Sequence, residues 1–206
     1  MNDASTQASG SVRGRLLQAA LECFLADEYH KVTTRRIAEE AGANVSMIRY
    51  YFGNKAGLFE EMVRETLKPL LDVLDGEMLA TADGFTDFLR LYYTTMSHHP
   101  EFPRLILKVL ALKQGPGRRF IQQLLERGRT RGARTVAALK GLGQVEASVD
   151  PDILRMAFVS LAITPMLLRD IFEEQTGRKM DEDYFETLAR FNGRLFSAGL
   201  APTGME

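Results

Sequence analysis

The stretch that decides the fold runs from Thr33 to Lys55, TTRRIAEEAGANVSMIRYYFGNK. A hydroxyl at Thr33 or Thr34 opens it, and such a side chain caps the free N–H groups of a helix start. A short helix follows, and Gly42 ends it, because glycine best accepts the left-handed conformation of a helix C-terminus. Asn44 then caps a second short helix that reaches Tyr51 or Phe52, and Gly53-Asn54 turns the chain again. Two short helices joined by a glycine-containing turn form a helix-turn-helix.

Spacing sorts the second helix into faces. Ile48 and Phe52 stand at i, i+4 and are expected to face the core, with Ala43 closing the turn. Ser46, Arg49 and Tyr50 fall on the opposite side, with Val45 at its N-terminal edge. That side of such a helix meets base edges in the major groove of DNA. Arg49 suits a guanine O6/N7 pair, and Val45 or Met47 suits a thymine methyl. Arg35, on the supporting helix, reaches either a base or a phosphate. Thr34, Tyr51 and Lys55 suit phosphates, which set register without reading sequence.

Outward from this stretch the chain reads as helix in both directions, so the fold class is all-α. Leu17, Ala20, Leu21 and Phe24 repeat at i, i+3, i+4, i+7 on a first helix over about 12–26, behind a loose tail at 1–10. A long helix follows from Lys55 to about Leu79, kinked by Pro69. Further helices are expected over about 85–96 (stopped by His98-His99-Pro100), 102–112 (ended by the 114–117 turn) and 118–139. The last two run over 151–175, opened by Asp150-Pro151 and carrying Pro165 inside, and 181–198. No alternating strand pattern and no internal repeat occurs.

Composition, 45% hydrophobic and 26% charged, is that of an ordinary globular protein. No run approaches the roughly 20 apolar residues of a membrane span, and the polar start carries no secretory apolar segment. These features, with one cysteine and hence no internal disulfide, fit a cytoplasmic protein that has no membrane partner. Cys23, beside Phe24, reads as a buried structural thiol, with a redox sensor as the sharper alternative. The net charge of −1 speaks against coating nucleic acid along the whole surface. Two zones depart from it: 31–55 is net +3, and 113–140 is net +7, with Glu126 its one acid. No enzyme is expected, and no catalytic residue, cofactor or metal. The adjacent His98 and His99 point about 100° apart on a helix, and no phosphate-loop, dinucleotide or nucleophile-elbow motif occurs.

Thr34-x-x-Ile37-Ala38-x-x-Ala41-Gly42, then Ile48-x-Tyr50-Tyr51-Phe52-x-Asn54-Lys55-x-x-Leu58, resembles the DNA-binding domain of the tetracycline-repressor (TetR) family. The likeness covers about residues 13–62. Tyr51 stands where histidine is frequent, Arg49 where an aromatic or small residue is frequent, and Asn44-Val45-Ser46 opens the recognition helix. These departures leave the fold expectation intact and bear on which operator is read. The resemblance implies nine helices, a homodimer built on the last two, and a ligand cavity in the body. The expected domains are therefore a helix-turn-helix domain at 11–56 and a helical ligand-binding and dimerisation body at 57–206. The expected function is a transcription regulator on a near-palindromic double-stranded operator, a repressor released by a small effector. A DNA-binding protein of the same fold whose body takes a protein partner is the alternative.

Within the body, Tyr92, Tyr93 and Met96, with Pro69 and Pro165 splaying their helices, are candidates for the effector cavity, against a reading as plain core. Arg127, Arg131 and Arg134 share one helical face at i, i+4, i+7. Three readings stand for them: an anionic effector such as an acyl thioester or long carboxylic acid, steering toward DNA, or a solvated basic face. Leu154, Phe158, Leu161, Leu168, Phe185, Leu188, Phe191 and Leu195 offer more apolar surface than a single internal seam needs, and are candidates for the dimer interface.

Overall fold

The computed structural model describes residues 10–75, 82–112, 115 and 118–199. Residues 1–9 of the expected tail, the helix end at Leu79, Lys113, and the 114–117 turn apart from Gly115 lie outside the described residues. Among those described there is no strand, and eleven helices follow in order. They are α1 (Val12–Ala26), α2 (Thr34–Glu40), α3 (Ser46–Phe52), α4 (Lys55–Thr66), α5 (Lys68–Asp75), α6 (Ala82–Ser97), α7 (Glu101–Ala111), α8 (Arg118–Gly141), α9 (Pro151–Leu167), α10 (Arg169–Thr176) and α11 (Glu182–Ala198). No single one is long and apolar enough to cross a membrane.

Eleven replaces the expected nine because two predicted helices are each divided. The one from Lys55 stops at Thr66 and resumes at Lys68. Pro69 gives no N–H to the Glu65 carbonyl and its ring crowds that oxygen, which favours a break there, and the first helix is capped at Leu67. The helix from Pro151 bends by 62° between α9 and α10, at Leu168.

The chain divides into two compact units. The first comprises residues 1–68 and 104–123. Its centre is Leu16, Ala20, Phe24, Ile37, Ile48, Leu58, Phe59 and Val63, all buried. Phe24 meets Phe59 edge to face at 4.7 Å. The buried stripe of α1 is Leu16, Ala19, Ala20, Cys23 and Phe24, with Leu17 and Leu21 only half-buried. It is thus rotated by about one residue from the expected Leu17-centred face, where α2, α3 and α4 all pack on α1. Cys23 is a buried free thiol. Burial raises its pKa, and the nearby Arg36 does not reverse this. From the returning segment, Lys108 donates to the Asp27 carbonyl at the end of α1 (3.0 Å) and Arg119 pairs with Glu60 (2.6 Å).

The second unit comprises residues 69–103 and 124–206. Here α6 lies against α11 and α9. Gly193 sets the α6–α11 approach, since a Cβ there would fall 1.9 Å from the Thr86 hydroxyl. Phe85, Val136, Leu139, Val145, Leu154 and Phe196 form its core, with Phe158 packed alongside. The Tyr93 hydroxyl donates to the Leu161 carbonyl (2.7 Å) and accepts from Asn192 (2.9 Å), the buried polar residue beside it. Leu161 lies four residues before Pro165, so its carbonyl is the one that the proline leaves without a helical N–H. A tyrosine from a neighbouring helix satisfies it.

Candidate nucleic-acid interface

The interface rests on two turns that the backbone can make only with glycine. At the end of α2 the N–H of Gly42 bonds to the Glu39 carbonyl (3.1 Å) and that of Ala43 to the Ala38 carbonyl (2.9 Å). This is a Schellman closure, and its pivot Gly42 has φ +57°. After α3, a Cβ on Gly57 would fall 2.1 Å from the Phe52 carbonyl oxygen, so only glycine lets α4 start so close to α3. Side chains cap two of the helix starts: Thr33, rather than Thr34, accepts from Arg36 N (3.2 Å) and Asn54 from Gly57 N (3.0 Å), while ahead of α3, whose cap residue Val45 offers no side-chain bond, Asn44 accepts from Ser46 N (2.9 Å). Each such cap contributes about 1 kcal/mol.

These turns present α3 with Ile48 buried and Phe52 half-buried beneath it. Ser46, Arg49 and Tyr50 share the outward face, all exposed, and Tyr50 is 77% exposed. Arg49 makes no ion pair among the described residues. Val45 and Tyr51 are exposed as well, and Met47 is half-buried at the rim. Tyr50 and Tyr51 meet edge to face at 4.9 Å, which holds both phenols outward. On α2, Thr34 is half-buried at the first turn, and Arg35 is exposed with its Nε on Glu39 (3.0 Å). Such an exposed i, i+4 pair is worth only a few tenths of a kcal/mol, so the guanidinium is easily redirected to another anion.

Lys55 stands apart from the other expected contacts. Its ammonium turns inward, donating to the carbonyls of Tyr29 and Val32 (2.8 Å each) and lying 4.3 Å from the centre of the Tyr29 ring. Burial lowers its pKa below the usual lysine range. Sequence reasoning also missed two arginines of α1. Arg15 donates to the Ala41 carbonyl at the end of α2 (3.1 Å), and Arg13 pairs with Glu61 and lies over the Phe52 ring. Nothing local in the sequence marks them, because both partners lie more than 25 residues away.

The expected body residues fall as follows. Tyr92, Tyr93 and Met96 are buried, and Pro165 is half-buried. The Tyr92 hydroxyl is buried with no hydrogen-bond partner among the described residues, and burial drives its pKa strongly upward. Burial also raises Tyr93, to about 12, with the Asn192 bond opposing. On α8, Arg127 and Arg134 are exposed and Arg131 half-buried. Of the expected dimer residues, Leu154 and Phe185 are buried, Phe158, Leu161, Leu168 and Leu188 are half-buried, and Phe191 and Leu195 are exposed. Ile153 and Met156 on α9 are exposed too, 72% and 63%. His98 and His99 do not converge: His98 bonds through Nδ1 to the Thr94 carbonyl, whereas His99 stacks on Phe102.

Residues 16–62 match the model of the bacterial regulatory proteins of the tetR family. The regulator BetI of Vibrio parahaemolyticus is 33% identical over 66 residues, covering 32% of this chain and 33% of BetI. The chain thus spans about a third of the length of that curated relative. Over nearly the whole chain the fold is similar to solved structures at low identity. GusR of Salmonella enterica has a TM-score of 0.68 at 13% identity, covering 92% of this chain and 95% of GusR. NalD of Pseudomonas aeruginosa, a secondary repressor of a multidrug efflux pump, has a TM-score of 0.68 at 19% identity, covering 95% and 100%.

Proposed function

From a chain whose N-terminal domain is that of the TetR family of bacterial regulators, we propose a sequence-specific, DNA-binding transcription regulator that represses from a near-palindromic operator. The observation that carries the reading is the exposed face of α3, on which Ser46, Arg49 and Tyr50 stand together with Arg49 unpaired. Val45 and Met47 complete the base-reading edge, with Thr34, Arg35 and Tyr51 on the flanking phosphates. Two such faces are needed to read successive major grooves roughly 34–36 Å apart, so the regulator acts as a homodimer. The DNA-binding domain is taken as 11–56 and the body as 57–206. The exposed Ile153, Met156, Phe191 and Leu195 support α9 and α11 as the seam.

A small effector taken up by the body releases the operator. The orphaned hydroxyl of Tyr92, whose ring stacks on Phe88 and meets Tyr93, supports a site there, because an unpaired buried phenol costs about 1–3 kcal/mol that a bound polar atom relieves. The test begins with operator fragments selected from random duplexes on the purified protein. Arg49→Ala is expected to lose about 1–3 kcal/mol of discrimination at one base pair and little elsewhere. Unchanged base preference in that variant, with the fold intact, refutes the assigned face. An effector that raises Tm in proportion to its concentration and weakens operator binding completes the reading.

A further inference from the structure

A groove of about 630 Å³ opens between α6 and α11, lined by Thr86, Asp87, Arg90, Thr187, Arg190 and Arg194. Its size is that of a metabolite site, but its walls are polar rather than apolar. Thr86, one of its lining residues, packs closely against Gly193. Across it, Glu186 takes the Arg90 fork and also accepts from Arg190 Nε (2.7 Å), while Asp87 takes the remaining edge of Arg90. Arg90 thus commits Nε and one N–H of each terminal nitrogen to these two carboxylates, and its role is to hold the two helices and Glu186 in place. Arg190 commits only Nε, so its outer N–H edge stays available. Arg194, one turn further along the same face of α11, forms no ion pair among the described residues. Three guanidiniums against two carboxylates leave one positive charge in excess, and it resides at Arg194.

We propose that this groove binds a small anion carrying phosphate or carboxylate groups, gripped by the free edges of Arg190 and Arg194. Arginines at i, i+4 on one helix face repel each other unless an anion lies between them, and their planar forks match both oxyanion types. The Thr86 hydroxyl borders the same space and adds a neutral donor, whereas the Thr187 hydroxyl donates to the Asp183 carbonyl (2.9 Å) and only lines it. The excess charge sits in a concave, pre-ordered place, which favours a compact ligand over a long polyanion. The apolar flank of α11, carrying Leu188, Phe191 and Leu195, lies about a third of a turn away round the helix. This site is separate from the effector site proposed at Tyr92, and its test does not depend on DNA binding.

The test titrates pyrophosphate and, separately, citrate into the full chain, following thermal unfolding and heat of binding, with sodium chloride at matched ionic strength as the control. Both polyanions are expected to raise Tm in a saturable way, beyond the chloride control. Arg194→Gln breaks no ion pair, so its fold is expected to persist and its affinity for both probes to fall about tenfold. Arg190→Gln is expected to do the same while loosening Glu186. Stabilisation by pyrophosphate but not citrate narrows the ligand to phosphates within the proposal. No stabilisation beyond the chloride control, or equal affinity in Arg194→Gln and the parent, overturns it.

Discussion

At the scale of single residues, Lys55 separates what a motif position suggests from what a side chain does. Its place after Gly53-Asn54 invites a phosphate contact, yet its ammonium is held by the carbonyls of Tyr29 and Val32 between α1 and α2. A hydrogen bond from a charged donor contributes about 1.5–3 kcal/mol, and removing the donor leaves two partly buried carbonyls unpaired. Lys55→Ala is expected to lower the stability of the protein by about 2–3 kcal/mol in urea denaturation. The salt dependence of DNA binding should stay unchanged in the same variant, whereas a lost phosphate contact lowers the slope by about one unit. A lowered slope with unchanged stability would return Lys55 to the DNA backbone. Arg49 is the opposite case: its spacing alone put it outward, and it is outward, because Ile48 beside it is fixed in the core.

At the scale of the element, α9 shows how a proline is tolerated inside a helix. Pro165 frees the Leu161 carbonyl, and the Tyr93 hydroxyl of α6 fills the vacancy while Asn192 of α11 donates to that hydroxyl. Three helices are thereby tied through one oxygen. Tyr93→Phe leaves a buried carbonyl and a buried amide unpaired, and is expected to cost about 1–3 kcal/mol. Pro165→Ala restores a helical N–H for Leu161, so Tyr93→Phe should cost less in that background. A double-mutant cycle by urea denaturation reads the coupling. Additive losses would show that the hydroxyl does not compensate for the proline. The bend itself comes three residues later, at Leu168, where α10 starts afresh.

At the scale of the whole molecule, the apolar residues of α9 and α11 divide by function. Leu154 and Phe185 belong to the internal core, while Phe191 and Leu195 remain exposed at 56% and 54%. Replacing these two exposed residues by glutamate leaves the core untouched. It is expected to convert a dimer into a folded monomer at micromolar concentration by sedimentation. Operator affinity should then fall by about 10²-fold or more, since the two recognition helices are no longer joined. A double variant that stays dimeric would move the seam elsewhere, and a monomeric parent protein would remove the two-fold reading altogether.

The sequence by itself determined the all-helical class and the helix-turn-helix, with its glycine turns, buried Ile48 and outward Arg49. These are local consequences of 3.6-residue periodicity, caps and the φ that only glycine accepts readily. Only the tertiary structure decided the rest. The stripe of α1 is turned by one residue, where three helices, α2, α3 and α4, pack on it. The inward course of Lys55, the grip of Arg15 on Ala41 and the Tyr93–Leu161 bond each join residues more than 20 apart in the chain. The same holds for the clustering of 104–123 with the first unit, and for the groove where Arg90 meets Arg190 and Arg194. Periodicity records which face of a helix is apolar, but not which neighbour covers it. Contacts between distant segments depend on how the faces pair, and that is set by packing rather than by any local pattern.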